Sequence, residues 1–346
     1  MNMIPLVGRK IVLIGGAGFI GHNVALTLAE RGAAVDVIDS LQVNNLLSFA
    51  SNRQDLPNRD LYLRILNERL ELLHQANVTI HPVDARDYHV LCRVLGQIQP
   101  QVIVHLAAVA HAGRSNKDPY STFDHSLRTL ENALDYARDT GVEQFIFLSS
   151  SMVYGNFLTS AVDEEHPLAP IGIYGALKVA GEKIVIAYQQ VFDLPYTILR
   201  PSALYGPRCV SRRVGQAFIE SALVGNRLRV DGDGSERLDF TYVDDLVEGL
   251  CLIMQHPAAR NEIFNMTAGN ARSIQEMVKI VQQHFTGVEV EYVERDTLMP
   301  FRGTLSIKKA VQLLGYTPKY SLEDGLAKYV DWYRKLVGTS ELVRTP

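Results

Sequence analysis

Apolar and polar positions along this chain group into short blocks that recur in a fixed order. Lys10–Ile14 is an apolar run that reads as a buried strand, and a helical pattern follows it to Arg31. Ala34–Ile38 is a second buried strand, ending at Asp39. Thr79–Val83 ends at Asp84, Gln101–His105 leads into Leu106-Ala107-Ala108, and Gln144–Leu148 leads into Ser149. Helical segments lie between these strands at Arg86–Leu95 and Pro119–Thr140. Strands alternating with helices make βαβ units, so the expected fold class is α/β, a Rossmann-type doubly wound parallel sheet covered on both faces. The long polar segment 41–77 interrupts this order. Leucines at helical spacing predict an extra helix over Arg59–Gln75 within it.

Beyond another strand at Tyr196–Leu199 comes the turn-rich stretch Arg200–Val210, and the pattern loosens. Helices are expected at Arg212–Val224, Val243–Gln255, Ser273–Phe285, Ser306–Leu314 and Leu322–Leu336. Short strands are expected near Leu228–Val230, Ile263–Asn265 and Val288–Val293, and Gly338–Pro346 reads as a loose tail.

Composition narrows the class. Of 346 residues, 47% are hydrophobic and 21% charged, which is globular rather than disordered. A formal charge of −4 gives no basic footprint for nucleic acid. Cys92, Cys209 and Cys251 share no metal-ligand spacing and are too few for a disulfide framework, so no metal site is expected. Met1–Arg9 is too short for a secretory signal, and no apolar run approaches the roughly 20 residues of a membrane helix. The expectation is a soluble, cytoplasmic protein without membrane or nucleic-acid partners.

Two stretches carry chemistry. Gly15-x-x-Gly18-x-x-Gly21 follows a predicted strand and opens a predicted helix, the context in which this spacing binds a dinucleotide. Gly15 permits the tight turn, Gly18 lets the backbone approach a pyrophosphate, and Gly21 lets helix and strand pack closely. The helix N-terminus then offers N–H groups to the phosphates. Asp39, 18 residues after Gly21, is placed to accept from the adenosine ribose and to repel a 2′-phosphate. It is followed by Ser40 and Leu41 rather than Arg, so NAD is expected over NADP. Asp84 suits either the adenine amino group or a helix N-cap. The second stretch is Tyr174-Gly175-Ala176-Leu177-Lys178, which puts a phenol and an ammonium on one helix face. An ammonium near a phenol favours the phenolate, and a Tyr so tuned can take and return a hydroxyl proton. The pattern equally describes a boundary Tyr beside a solvated Lys. Ser150, 24 residues upstream of Tyr174, lies just past a strand end, where open α/β sheets place ligands. Ser149 and Ser151 beside it also read as turn caps.

The chain resembles the extended short-chain dehydrogenase/reductase family, in particular its nucleotide-sugar epimerases and dehydratases. The resemblance rests on Gly15 through Gly21, His105-Leu106-Ala107-Ala108, Ser149-Ser150-Ser151-Met152-Val153-Tyr154-Gly155, Tyr174 with Lys178, Leu199-Arg200-Pro201, Tyr205-Gly206-Pro207-Arg208, Gly232-Asp233-Gly234-Ser235, and Asp239 through Leu246. It implies a seven-stranded sheet for NAD in residues 1–200, and a smaller α/β substrate domain in 201–346, interleaved with the first. It also implies Tyr174 as acid/base, Lys178 steadying the nicotinamide ribose and acidifying the Tyr, and Ser150 hydrogen-bonding the reacting hydroxyl. Gly15, Gly18, Phe19, Ile20, Gly21, Asp39, Ser40, Asp84, Ala85, Leu106, Ala107, Ala108 and Ser149 would join Tyr174 and Lys178 around NAD. A homodimer through helices near Tyr120–Arg138 and Tyr174–Gln190 is implied as well.

Within that family, dehydratases carry an acidic pair after the serine, where this chain has Ser151 and Met152. The resemblance therefore points to a 4-epimerase acting on a UDP-hexose or UDP-hexuronate through a transient 4-keto sugar. A 4-keto reductase using NAD(P)H stands as the alternative, and a dehydratase is disfavoured. The substrate side departs from the family pattern: Ala203 replaces an Asn, with Ser202 beside it, and Leu238 replaces an Arg, with Arg237 one place earlier. His125 stands where the family has an Asn. Arg208, Arg212, Arg213 and Arg237 are expected to meet the nucleotide phosphates, since guanidinium forks suit phosphate oxygens. Each also reads as part of a solvated charged face. Arg114 is expected to reach the sugar, with Ser151 and Ser202 lining its site.

Overall fold

The computed structural model describes residues 3–50, 58–109 and 112–338. Its centre is a parallel sheet of seven strands: β1 (Lys10–Ile14), β2 (Ala34–Ile38), β3 (Thr79–His81), β4 (Val102–His105), β5 (Gln144–Leu148), β6 (Tyr196–Arg200) and β7 (Glu262–Asn265). In space their order is β7-β6-β5-β4-β1-β2-β3, every pair parallel. The parallel sheet and the inserted helix are as expected from the sequence, but the seventh strand, expected within residues 1–200, is supplied from the C-terminal half by Glu262–Asn265.

The strands are apolar on both sides because both sides are covered. Ile11 and Leu13 of β1 pack into one core, together with Val24 and Leu28 of helix α1 (Phe19–Glu30). Val12 and Ile14 pack into the opposite core with Leu91 and Leu95 of α3 (Tyr88–Ile98) and Leu130 and Leu134 of α4 (Thr129–Arg138). Val185 of α5 (Gly172–Phe192) closes that second layer. The first core runs on without a break into the C-terminal half, through Phe240, Leu250, Met277 and Tyr329.

The inserted helix α2 spans Arg59–Gln75. Its buried face (Tyr62, Ile65, Leu66) joins Val210 and Leu336, so it braces the C-terminal half rather than the sheet alone. The expected single helix over Pro119–Thr140 is instead broken into Pro119–Phe123, a π turn at Asp124–Arg128, and α4. The strand expected over Thr79–Val83 stops at His81. The segment Gly338–Pro346, expected to be a loose tail, lies outside the described residues but for Gly338.

The C-terminal half adds two-stranded pairs: Leu228–Asp231 with Val290–Val293, and Leu204–Tyr205 with Thr241–Tyr242, both parallel, and Arg237–Leu238 with Arg272–Ser273, antiparallel. Asp239 sits at their junction, fully buried, accepting from Leu305 N–H, Gly269 N–H and the Thr267 hydroxyl. Among the described residues no helix is long and apolar enough to cross a membrane, and no group of His, Cys, Asp and Glu is placed to hold a metal.

Candidate active site

The strand order reverses between β1 and β4, and ligands of open α/β sheets bind in the crevice at such a reversal. A cavity opens there. It is lined by Gly15, Gly18, Phe19, Ile20 and Gly21 from the first turn, Asp39 and Ser40 after β2, Asp84 and Ala85 after β3, and Leu106, Ala107 and Ala108 after β4. All twelve were expected to meet a dinucleotide, and the structure brings them to one cleft.

The glycine turn fits such a ligand. Gly15 has φ +81°, and a Cβ there would stand 2.6 Å from the Ala107 nitrogen. A Cβ on Gly21 would stand 2.5 Å from the Gly16 Cα, so helix and turn touch backbone to backbone. At Gly18 the nearest atom is 3.3 Å away, which leaves the approach to the backbone open. Gly18 caps α1 without a side-chain hydrogen bond, so the first N–H groups of the helix face the cleft. Asp39 accepts from Ala17 N–H at 3.0 Å and Leu41 N–H at 2.8 Å, fixing its carboxylate at the end of β2. Burial pushes its pKa up, while those two bonds and Arg69 hold it down.

Asp84 is not a helix cap; Asp87 caps α3 by accepting from Val90 N–H. The Asp84 carboxylate pairs with Arg86 at 2.6 Å, which holds its pKa low. His125 lines the same cleft from the π turn. Its Nδ1 meets the Ser121 carbonyl, and its Nε2 is buried without a partner.

Ser150 caps the 3₁₀ turn Ser151–Tyr154, its hydroxyl accepting from Met152 N–H at 3.2 Å. Tyr174 and Lys178 occupy the first turns of α5, whose entry Gly175 packs against the Met152 carbonyl. Burial pushes the Tyr174 phenol above its ordinary value; Arg213 and Ser150 pull it back. The Lys178 ammonium donates to the Leu148 carbonyl at 2.6 Å and stands 5.9 Å from the centre of the Tyr174 ring. Burial lowers its pKa to about 8, opposed by Glu182. Arg213, on which no such role was expected, thus acts on the phenol as well. Lys178 is turned by its hydrogen bond toward the end of β5.

Other expectations are also redirected. The Ser149 hydroxyl donates to Glu182, which forms a buried two-bond ion pair with Arg200 at 2.7 and 3.0 Å. The Ser149 hydroxyl therefore faces the interior. Arg208 turns toward helices α1 and α2: its Nε donates to His22 Nε2 at 3.0 Å, and its other nitrogens meet Asn23 and Glu68. Arg237 lies half-exposed beside Glu276 and donates to the Ala271 carbonyl, because the strand pairing with Arg272–Ser273 carries it outward. Arg212 has φ +51° and exposes its side chain. Arg114 reaches Asn44 at 3.3 Å on the cofactor rim. Ser151 and Ser202 are buried, the Ser202 hydroxyl with no partner.

Sequence reading missed Arg295 and Arg302. Their guanidinium groups lie 3.8 and 4.0 Å from Glu236, and Arg213 is close enough to Arg302 to repel its charge. The Nε atoms of all three arginines are buried without a hydrogen-bond partner. Arg213, Arg295 and Arg302 thus gather three cations around one carboxylate, and of the three Arg213 acts on the Tyr174 phenol. The only sequence signal is an arginine pair 82 and 89 residues past Arg213, with nothing local to mark it.

Comparison with known proteins agrees with this geometry. A putative UDP-glucose 4-epimerase of Methanocaldococcus jannaschii is 27% identical over 332 residues, covering 94% of this chain and 98% of that protein. A dTDP-glucose 4,6-dehydratase of Streptomyces griseus is 29% identical, covering 94% of each. The crystal structure of UDP-glucuronic acid 4-epimerase from Bacillus cereus, in complex with UDP-glucuronic acid and NAD, superposes with a TM-score of 0.85 at 25% identity, covering 95% of this chain and all of that one. The profile of the NAD dependent epimerase/dehydratase family matches residues 11–267, over most of the chain and across the whole cleft, and the protein is an NAD-dependent enzyme of that family.

Proposed function

We propose that this enzyme is a nucleotide-sugar 4-epimerase, interconverting a UDP-hexose or UDP-hexuronate with its C4 epimer. The observation that carries this reading is the surroundings of Tyr174: the Arg213 guanidinium and the Ser150 hydroxyl act on its phenol, the Lys178 ammonium stands 5.9 Å from its ring, and no carboxylate acts on the phenol among the described residues. Loss of water from a sugar needs a further acid and base. Oxidation and re-reduction of a carbinol need one proton carrier beside a hydride acceptor. Ser151 and Met152, both buried, supply neither acid nor base.

In this reading Ser150 orients the C4 hydroxyl and Tyr174 takes its proton. NAD, held in the cleft over Gly15, Gly18 and Asp39, would supply the hydride acceptor and donor for C4. Tyr174 then gives the proton back to the epimeric hydroxyl, with the ring turned over. Lys178 keeps a positive charge at the end of β5 and steadies the ribose. Arg213, Arg295 and Arg302 take the diphosphate, so the nucleotide is held while the sugar rotates. Residues 1–200 hold NAD and 201–346 mainly the sugar nucleotide. The exposed apolar residues Tyr120, Phe123, Val191 and Phe192, on or beside the helices expected to pair, support a homodimer.

The test is incubation of the purified protein with UDP-, GDP-, CDP- and dTDP-sugars, read by anomeric NMR signals. Epimerisation of a UDP-sugar without added cofactor is expected. Net reduction of a 4-keto sugar at the expense of added NADPH would move the assignment to the reductase.

A further inference from the structure

We propose that Arg69, on the inserted helix α2, is a phosphate-binding residue of the dinucleotide site, its guanidinium meeting the pyrophosphate of NAD over the glycine turn. Nothing in the glycine-turn pattern calls for this residue. Arg69 is 1% exposed, yet it lines the cleft with Gly15, Gly18 and Asp39. A buried cation needs a counter-charge. Among the described residues none lies within ion-pair distance of it, and its donors go to carbonyls. Nε, at 2.9 Å, and Nη2 both donate to the Arg208 carbonyl, and Nη1 reaches the Ala17 carbonyl only at 3.5 Å.

Asp39 does not close the balance. It acts on Arg69 through space, but its two oxygens are taken by the N–H groups of Ala17 and Leu41. The Arg208 guanidinium adds a second positive charge nearby and repels the first. The open N-terminus of α1 points partial positive charge at the same turn. The charge of this corner therefore suits an anion, and a planar guanidinium suits phosphate oxygens. Contact with Ala17, a residue of the glycine turn itself, places the fork at the pyrophosphate. Asp39 stands where a 2′-phosphate would come and disfavours it there.

The inference rests on the NAD site and is independent of which sugar is turned over. The test is calorimetric titration of the full-length protein, freed of endogenous dinucleotide, with ADP-ribose, ADP and adenosine. Arg69→Met and Arg69→Gln are compared with wild type; the glutamine keeps a donor for the Arg208 carbonyl. Both variants are expected to bind ADP-ribose and ADP roughly tenfold to a hundredfold more weakly, the weight of one charge-assisted contact, with adenosine unchanged. Arg69→Lys should recover part of the loss. Unchanged ADP-ribose affinity would overturn the proposal. So would an equal loss for adenosine, a larger loss for NADP than for NAD, or failure of both neutral variants to fold.

Discussion

Arg208 donates from Nε to His22 Nε2 at 3.0 Å, across 186 residues of sequence, and ties the Tyr205–Arg208 turn to the helix that opens at the glycines. Asn23 and Glu68 accept from the same guanidinium. Arg208→Ala is therefore expected to act on stability, costing about 1–3 kcal/mol by leaving the partly buried partners unsatisfied. Thermal unfolding checks this. A rise in KM for the sugar nucleotide with no change in melting temperature would place Arg208 in the substrate site after all.

Tyr174→Phe removes the one proton carrier and little else. Turnover should drop by about 10²–10⁴-fold or more while the dinucleotide stays bound. The two readouts are kcat and the NAD released on denaturation. Activity near wild type would end the proton-relay reading.

Arg213 pulls the Tyr174 phenol down against burial, and its loss removes that pull. In Arg213→Leu the limb of the pH–rate profile that reports phenol ionisation should move to higher pH. KM for the sugar nucleotide should also rise by about tenfold or more if the proposed phosphate contact goes with it. Arg213→Lys should restore the position of the limb better than the KM. A profile unmoved by Arg213→Leu would separate the guanidinium from the phenol.

Lys178 has a folded-state pKa of about 8, below its ordinary 10.5, because burial disfavours its charge. The sign of the linkage follows. Below pH 8 the lysine is charged in both states and the burial penalty is full. Between pH 8 and 10.5 the folded chain releases the proton while the unfolded chain keeps it, so stability rises with pH through that window. The unfolding free energy of ligand-free wild type minus that of Lys178→Met should therefore increase with pH over that range. Denaturant titrations at a series of pH values measure it, and a flat difference would contradict the buried lysine.

Glu182 and Arg200 form a pair whose side chains are 1% and 2% exposed. Glu182→Ala strands a buried guanidinium and frees the Ser149 hydroxyl, at an expected cost of about 3–5 kcal/mol. A Glu182→Leu, Arg200→Met double variant should cost less than either single change. Chemical denaturation decides; additive losses would show that the two residues act separately.

The alternation of strands and helices was legible because strands buried on both faces are almost uncontaminated by polar residues, as in Val102–His105 and Gln144–Leu148. The inserted helix was legible to the residue, since its leucines repeat at helical spacing. Its one unusual member was not: Arg69 sits among Glu68, Glu71 and other charged residues, and only the fold shows that it points inward. The glycine turn could be read because its function depends on local backbone. The arginines could not, because Arg208, Arg213, Arg237, Arg295 and Arg302 differ only in what the distant chain puts beside them. Strand pairing turned Arg237 outward, and Arg208 met helix α1. The break at Asp124–Arg128 was hidden because one extra residue in a helical turn leaves apolar spacing nearly unchanged.

The outermost strand of the sheet, Glu262–Asn265, lies against Tyr196–Arg200 and comes from more than sixty residues later in the chain. Until it has been synthesised, β6 offers an open ladder of backbone groups to any passing strand. A fragment ending near residue 200 would keep the glycine turn and the Tyr–Lys pair and yet present a sticky border. Attempts to produce residues 1–200 alone should thus meet aggregation, and on the ribosome the sheet is sealed only after the chain has emerged through residue 265.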